Sequence, residues 1–324
     1  MAFWRNRKVL VTGCTGFLGW WLTNELVRRG ASVVGLVRDL VPQAPFYLEG
    51  LDQKVAIVRG SVEDYDAVSR AINEYEVDTV FHLAAQAIVG VANRDPLSTF
   101  ETNIKGTWTL LEACRHSPLV SRIVVASSDK AYGQHEQLPY TEDFCLQGNH
   151  PYDASKSCAD LISLTYHNTY RTPVCVTRCG NIFGPGDLNY NRIVPGTMRS
   201  ILLNDRPVIR SDGSPMRDYV FVGDIVEAYL TLAEKMGDPS ICGKAFNFGT
   251  GEPISVLDLT LAILKAAGRE DLSPDVQNTA SGEILHQYLS SDLANNVLAW
   301  WPGKPLSDRL AETFEWYRST DHAS

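Results

Sequence analysis

The sequence predicts an α/β protein built on a doubly wound parallel sheet, joined by a smaller, discontinuous α/β domain. Three observations predict it. Short apolar runs alternate with amphipathic stretches from the N-terminus onward, the pattern of strands covered by helices on both faces. The first apolar run ends in Gly13-Cys-Thr-Gly16-Phe-Leu-Gly19, a glycine-rich turn that opens a helix. After Arg178 the rhythm breaks into loops rich in Gly, Pro and Asn and later resumes, so the chain leaves the sheet and returns to it.

Taken in order, strands are expected at Val9–Thr12, Ser32–Val37, Val55–Arg59, Thr79–Leu83, Arg122–Ser127 and Val174–Arg178, each a short apolar run between turn signals. Helices are expected between them at Leu18–Arg29, Val62–Tyr75, Asp95–Arg115 and Tyr152–Tyr170, with Gly30 closing the first as a C-cap glycine. Gly184-Pro-Gly-Asp187 and Gly213-Ser-Pro215 mark surface loops. Tyr219–Val222, the helix Asp224–Glu234 and the strand Ala245–Phe248 read as more of the sheet domain. The expected division is therefore 1–178 with 217–249 as the sheet domain and 179–216 with 250–324 as the smaller one.

Composition narrows the function. Lys plus Arg total 29 against 38 Asp plus Glu, a net charge of −9 with no basic stripe, which argues against a nucleic-acid partner. The 7 cysteines include no C-x-x-C pair and suit reduced thiols, and no His or Cys pair has metal-site spacing, so no metal is expected. No apolar run reaches membrane-spanning length, and a cytoplasmic protein without a membrane partner is expected.

The glycine turn points to a dinucleotide. Glycines let the backbone approach a pyrophosphate, whose charge then meets the helix N-terminus, which makes Gly13, Thr15, Gly16, Phe17, Leu18 and Gly19 candidate cofactor contacts. At the end of the second strand Arg38 suits a 2′-phosphate and Asp39 a 2′-hydroxyl; Arg38 tilts the reading to NADP and leaves NAD open. His82-Leu83-Ala84-Ala85-Gln86 ends the fourth strand in small residues, as a strand tip under a cofactor must. His82 reads as a core histidine without chemistry, and Gln86 as a substrate contact.

The chemistry is written in Ser128-Asp129-Lys130 and in Tyr152-x-x-x-Lys156. A Tyr and a Lys four positions apart share a helix face, so the ammonium can lower the phenol's pKa and hold a cofactor ribose while the phenolate takes a proton. Asp129 and Lys130 add an acid and a base that alcohol oxidation alone does not need, which points to elimination of water. Those roles require a protonated Asp129 and a neutral Lys130, and enclosure with a shared proton favours both states. A structural Asp-Lys ion pair is the competing reading.

These motifs, with Asn103-x-x-Gly106-Thr107, Arg178-x-x-Asn181-x-x-Gly184-Pro-Gly186 and Arg217-Asp-Tyr-Val220, resemble the extended short-chain dehydrogenase/reductase family of nucleotide-sugar epimerases and dehydratases. The resemblance covers nearly the whole chain. It implies a Rossmann fold and an internal redox cycle in which a tightly held NAD(P) oxidises carbon 4 of a hexose and returns the same hydride. It also implies that Tyr152 is the base, Lys156 holds the nicotinamide ribose and Ser128 bonds the reacting oxygen. Ser61, Val62 and Asn103 join the cofactor contacts, and Asn181, Arg192, Arg217 and Glu283 hold the nucleotide-diphosphate hexose. An Arg suits a diphosphate through its planar fork, although Arg192 reads equally as a surface charge. Gly60-Ser61-Val62 departs from the usual Gly-Asp-aliphatic, so the family's usual carboxylate near the adenine is absent at this position.

Among members, Asp129-Lys130 is similar to the pair of CDP-glucose 4,6-dehydratases, and the expectation is a 4,6-dehydratase giving a 4-keto-6-deoxy sugar. The run Arg217-Asp-Tyr-Val-Phe-Val-Gly-Asp224 and the short chain pull toward a 4-epimerase, the alternative. A reductase consuming NADPH and a non-catalytic nucleotide-binding relative stand behind it. Trp108, Leu110, Leu111, Leu161, Ile162 and Leu164 on two long helices are apolar beyond one core's need, and the family pairs such helices in a four-helix bundle, so a homodimer is expected.

Overall fold

A computed structural model describes residues 3–279 and 284–320. In chain order the strands are β1 (Lys8–Thr12), β2 (Ser32–Val37), β3 (Ala56–Arg59), β4 (Thr79–His82), β5 (Arg122–Ala126), β6 (Val174–Cys179), β7 (Asn181–Phe183), β8 (Val208–Ile209), β9 (Met216–Arg217), β10 (Tyr219–Phe221), β11 (Ala245–Phe248), β12 (Ile254–Ser255), β13 (Asp275–Val276) and β14 (His286–Gln287). The helices are α1 (Phe17–Arg28), α2 (Pro45–Leu48), α3 (Tyr65–Glu74), α4 (Val89–Arg94), α5 (Pro96–Phe100), α6 (Gly106–His116), α7 (Pro151–Tyr170), α8 (Ile193–Leu202), α9 (Val222–Lys235), α10 (Val256–Ala266) and α11 (Leu306–Ser319).

The chain divides into two compact units: residues 1–135, 142–178 and 226–247, and residues 136–141, 179–225 and 248–324. The first carries a 7-stranded parallel sheet in the order β11-β6-β5-β4-β1-β2-β3. The strand order reverses at β1, which pairs in parallel with both β2 and β4. In such sheets ligands bind at the carboxyl ends of the strands around that switch point. Sheet residues Leu10, Val34, Val80 and Ile123 pack with Val68, Ile72, Leu110 and Leu111 of α3 and α6 in one buried cluster.

Local chemistry explains the helices. Asp64 caps α3 by accepting the N–H groups of Asp66 and Ala67 at 3.0 and 3.2 Å, and Ala67, Val68, Ala71 and Ile72 then line its buried face. Pro151 sits in the first turn of α7, where a missing N–H costs nothing, and Arg171 ends that helix with φ 58°. The stretch expected as one helix, Asp95–Arg115, is helical nearly throughout, α5 running through a wider helical turn over Glu101–Lys105 into α6. Such wide turns recur beside functional sites.

The second unit holds small pieces of sheet: parallel β7–β10, the trio β12-β9-β14, and parallel β8–β13. This corrects the expectation that 217–225 extends the large sheet. Tyr219 pairs with Asn181 and Phe221 with Phe183, so β10 belongs with β7. Asp218, buried beside it, accepts the Thr250 N–H and hydroxyl at 2.9 and 2.6 Å and the Gly251 N–H at 3.1 Å, tying this strand to the loop after β11.

Candidate active site

The glycine turn is shaped by its neighbours. Gly13 has φ 71°, and a Cβ there would lie 2.8 Å from the Ala84 nitrogen, so the turn presses on the tip of β4. A Cβ on Gly19 would strike the Gly13 carbonyl, which keeps the first turn of α1 against the loop. Gly16 caps α1 without any side-chain hydrogen bond, and the first turn holds no acidic residue. Thr15, Phe17 and Leu18 are half-buried around it. A helix start with uncapped N–H groups and no negative charge fits a pyrophosphate.

Beside the turn runs a continuous hydrogen-bond chain. The Thr12 hydroxyl accepts the Leu83 and Ala84 N–H groups, each at 3.1 Å, and meets His82 Nδ1 at 2.8 Å. His82 Nε2 meets the Thr107 hydroxyl at 3.1 Å, and that hydroxyl donates to the Asn103 carbonyl at 2.7 Å. The chain is satisfied by a neutral imidazole with its proton on Nε2. Burial, and next the charge of Lys156, push the His82 pKa down to about 3. His82 is thus a satisfied core histidine, as its sequence setting suggests. Asn103 is buried, its amide clasping the Gln86 N–H and carbonyl and donating to the Ser155 hydroxyl at 2.8 Å. Ser155 in turn donates to the Tyr152 carbonyl at 2.7 Å, so the β4 tip is tied to the start of α7. Ala85 and Gln86 are half-buried on that tip.

Just past β2, Arg38 and Asp39 are exposed and paired with each other at 2.7 Å. Val62 is buried against Gly106. The Ser61 hydroxyl donates to Glu63, whose other oxygen accepts the Thr102 hydroxyl at 2.5 Å. A carboxylate therefore stands next to Ser61 after all. Sequence reasoning missed Glu63 because it sits two positions past the usual place.

The five candidate catalytic residues come together on one turn and one helix. Ser128 caps the tight turn Asp129–Tyr132, accepting the Lys130 N–H at 3.2 Å and donating to Asp129 at 3.1 Å. Lys130 Nζ lies 3.8 Å from Asp129 Oδ2, and the Asp129 side chain is almost fully enclosed while that of Lys130 keeps 23% of its surface exposed. On α7, Lys156 is buried, donates to the Ala126 carbonyl at 2.8 Å and stands 6.0 Å from the centre of the Tyr152 ring. The turn is fastened from below. Tyr132 donates to Asn247 at 2.7 Å and accepts from Arg178 at 2.8 Å, while Arg178 grips Asp160 of α7 through two bonds of 2.7 and 2.9 Å. Asp160 carried no sequence signal, since nothing in its spacing names Arg178 as its partner.

The substrate candidates Asn181, Arg192 and Arg217 belong to the second unit. Asn181 starts β7 and is half-buried. Arg192 pairs with buried Asp187 at 3.0 Å. Arg217 donates to the Met216 and Leu285 carbonyls at 2.8 and 3.1 Å. Glu283 lies outside the described residues. Among the described residues no His, Cys, Asp or Glu cluster could hold a metal ion, and no helix is long and apolar enough to cross a membrane.

The sequence model of the NAD dependent epimerase/dehydratase family matches residues 9–249. The chain is 29% identical to a CDP-glucose 4,6-dehydratase of Salmonella typhimurium, over 98% of this chain and 92% of that protein. It is 31% identical to a UDP-glucose 4-epimerase of Mycolicibacterium smegmatis, over 96% and 99%. The crystal structure of a dTDP-glucose 4,6-dehydratase from Streptomyces venezuelae with NAD bound superposes with a TM-score of 0.87 at 27% identity, over 97% of each chain.

Proposed function

Because the chain belongs to the NAD dependent epimerase/dehydratase family, we propose that it is a nucleotide-sugar 4,6-dehydratase that converts an NDP-hexose, CDP-glucose foremost, to its 4-keto-6-deoxy product. The observation that carries this reading is the enclosed Asp129 with an amine 3.8 Å away, on the turn that Ser128 caps. Bound NAD(P) supplies a hydride acceptor for carbon 4 and a donor for its return. Tyr152 takes the proton of the 4-hydroxyl, with the Lys156 ammonium beside it favouring the phenolate, and Ser128 holds the reacting oxygen. With a ketone at carbon 4, the proton on carbon 5 becomes acidic. Lys130 takes that proton, the electron pair moves toward the ketone, and Asp129 protonates the 6-hydroxyl, which leaves as water. Asn181, Arg192, Arg217, Gln86 and Glu283 hold the nucleotide-diphosphate hexose.

Arg38 offers a cation to a 2′-phosphate and keeps NADP ahead of NAD, while Asp39 beside it serves a 2′-hydroxyl. The protein works in the cytoplasm as a homodimer. Exposed Leu97, Trp108 and Leu161 on α5, α6 and α7 support the dimer. Leu110 and Leu111 do not, because they are buried in their own core.

The second reading, a 4-epimerase, is favoured by the likeness to the M. smegmatis epimerase along 99% of its length. Incubation with CDP-, dTDP-, UDP- and GDP-hexoses in deuterated water separates the two. Loss of one water with deuterium at carbon 5 is expected; an isomer of unchanged mass without deuterium would instead make the protein an epimerase.

A further inference from the structure

The turn that carries Asp129 and Lys130 is seated against two other segments with little slack. Gly133 follows it with φ 69°, and a Cβ there would strike the Gln147 carbonyl. Gly148 approaches the first turn of α7 as closely, where a Cβ would strike the Asp153 carbonyl. One side chain joins all three segments. Ser157 is buried at 7% exposure; its hydroxyl donates to the Ala131 carbonyl at 2.8 Å and accepts the Gly148 N–H at 3.2 Å. It also lies 3.1 Å from the Asp153 carbonyl four residues back, the local bond open to any serine inside a helix. The shorter contact is the one to the turn. The Ala131 carbonyl accepts the Gln147 N–H as well, at 3.1 Å. The Ser157 hydroxyl thus ties the residue after Lys156 to the residue after Lys130.

We propose that Ser157 is a positioning residue that sets the Asp129–Lys130 turn against α7 and thereby governs the removal of water but not the oxidation at carbon 4. This deepens the dehydratase reading and rests on it. Oxidation draws on Tyr152 and Lys156, which α7 carries together. Ser128, which holds the reacting oxygen, directly follows Ser127, whose N–H is bonded to the Thr177 carbonyl of β6 at 2.8 Å, so the sheet fixes it. Water loss makes a further demand. Asp129 and Lys130 must meet the 6-hydroxyl and carbon 5 of a sugar whose carbon 4 lies at Tyr152, so the spacing of turn and helix enters that step alone. In it the carbon 5 proton goes to Lys130, and the pair of the broken bond passes through the enolate into a double bond between carbons 5 and 6. Asp129 gives its proton to the 6-hydroxyl, and the carbon–oxygen pair leaves with the water. Ser157 gives up no proton; it fixes where the acid and the amine stand.

The test is Ser157→Ala, with Ser157→Thr restoring the hydroxyl. Full-length protein loaded with NAD(P) is mixed in deuterated water with whichever of the CDP-, dTDP-, UDP- and GDP-hexoses the wild type converts. Nicotinamide absorbance reads oxidation, and product mass reads water loss. In the Ala variant water loss is expected to slow about tenfold while reduced nicotinamide forms at the wild-type rate and accumulates; the Thr variant is expected to recover most of the loss. A second readout needs no turnover. The N–H groups of Lys130, Ala131 and Gly133 are bonded within the turn at 3.2, 3.1 and 3.1 Å, and in the Ala variant their hydrogen exchange, followed by mass spectrometry, is expected to quicken several-fold while that of β5 stays unchanged. Unchanged water loss, equal slowing of both chemical steps, or unchanged exchange in the turn overturns the role of Ser157 and leaves the dehydratase reading standing. If the wild type removes no water from any of the four hexoses, the dehydratase reading fails and takes this role with it.

Discussion

Replacing Asp160 by Leu leaves the Arg178 guanidinium in the protein interior without its carboxylate. The side chains are 4% and 0% exposed, and two charge-assisted bonds of 2.7 and 2.9 Å join them. Losing one partner of such a pair costs about 3–5 kcal/mol, because the remaining charge stays desolvated. Arg178 retains the Tyr132 hydroxyl at 2.8 Å and the Glu142 carbonyl at 3.1 Å, which places the expected loss near the low end, about 3 kcal/mol. The double variant Asp160→Leu with Arg178→Met removes both charges, leaves Tyr132 its bond to Asn247, and is expected within about 1 kcal/mol of the wild type. Equilibrium unfolding in urea reads both. With a slope of about 3 kcal/mol per molar, the single variant should unfold roughly 1 M earlier and the double variant close to the wild type. A single variant within about 1 kcal/mol of the wild type, or a double variant less stable than the single one, would refute the argument that stranding the charge is the source of the loss.

Other outcomes follow from the same geometry. His82 is held near pKa 3 in the folded chain against about 6.5 unfolded. The unfolded chain therefore binds more protons between these values, and stability is full above pH 6.5 and lost as pH falls. Between pH 7 and pH 5 this group accounts for about 2 kcal/mol, and His82→Asn should flatten the urea midpoint's pH dependence by that amount. Asp129→Asn and Lys130→Met should each slow water loss about 10²–10⁴-fold while nicotinamide absorbance still reports oxidation at carbon 4; equal loss of both steps would make the pair structural. Leu161→Glu on the exposed side of α7 should give a monomer in light scattering with its urea midpoint unchanged, and a dimer that persists would place the contact elsewhere.

Much of the first unit was legible because its demands are local. Gly13 needs a left-handed backbone under Ala84, and glycine announces such a need in the residue itself. Tyr152 and Lys156 declare their common face by helical spacing alone, and the structure puts both on α7. The large parallel sheet was legible for the same reason, since short apolar runs between glycine turns leave a chain few alternatives. The placement of Tyr219–Val222 was not. An apolar triplet does not record which strand it pairs with, and β10 found β7. Nor did the apolar surplus of α6 say which side each residue took: Trp108 faces out, while Leu110 and Leu111 close the core.

The candidate site divides along the same line. The family, the glycine turn and the acid, amine and phenol proposed for the chemistry could be read from the residues alone, because each is a motif of residues near one another in the chain. What surrounds them was set by the packing of distant segments: Arg178 beside Asp160, Glu63 beside Ser61, and Asn103 clasping Gln86. Those partners are chosen by which buried groups the packed core leaves facing one another, and in that core an unmatched charge is costly enough to require one.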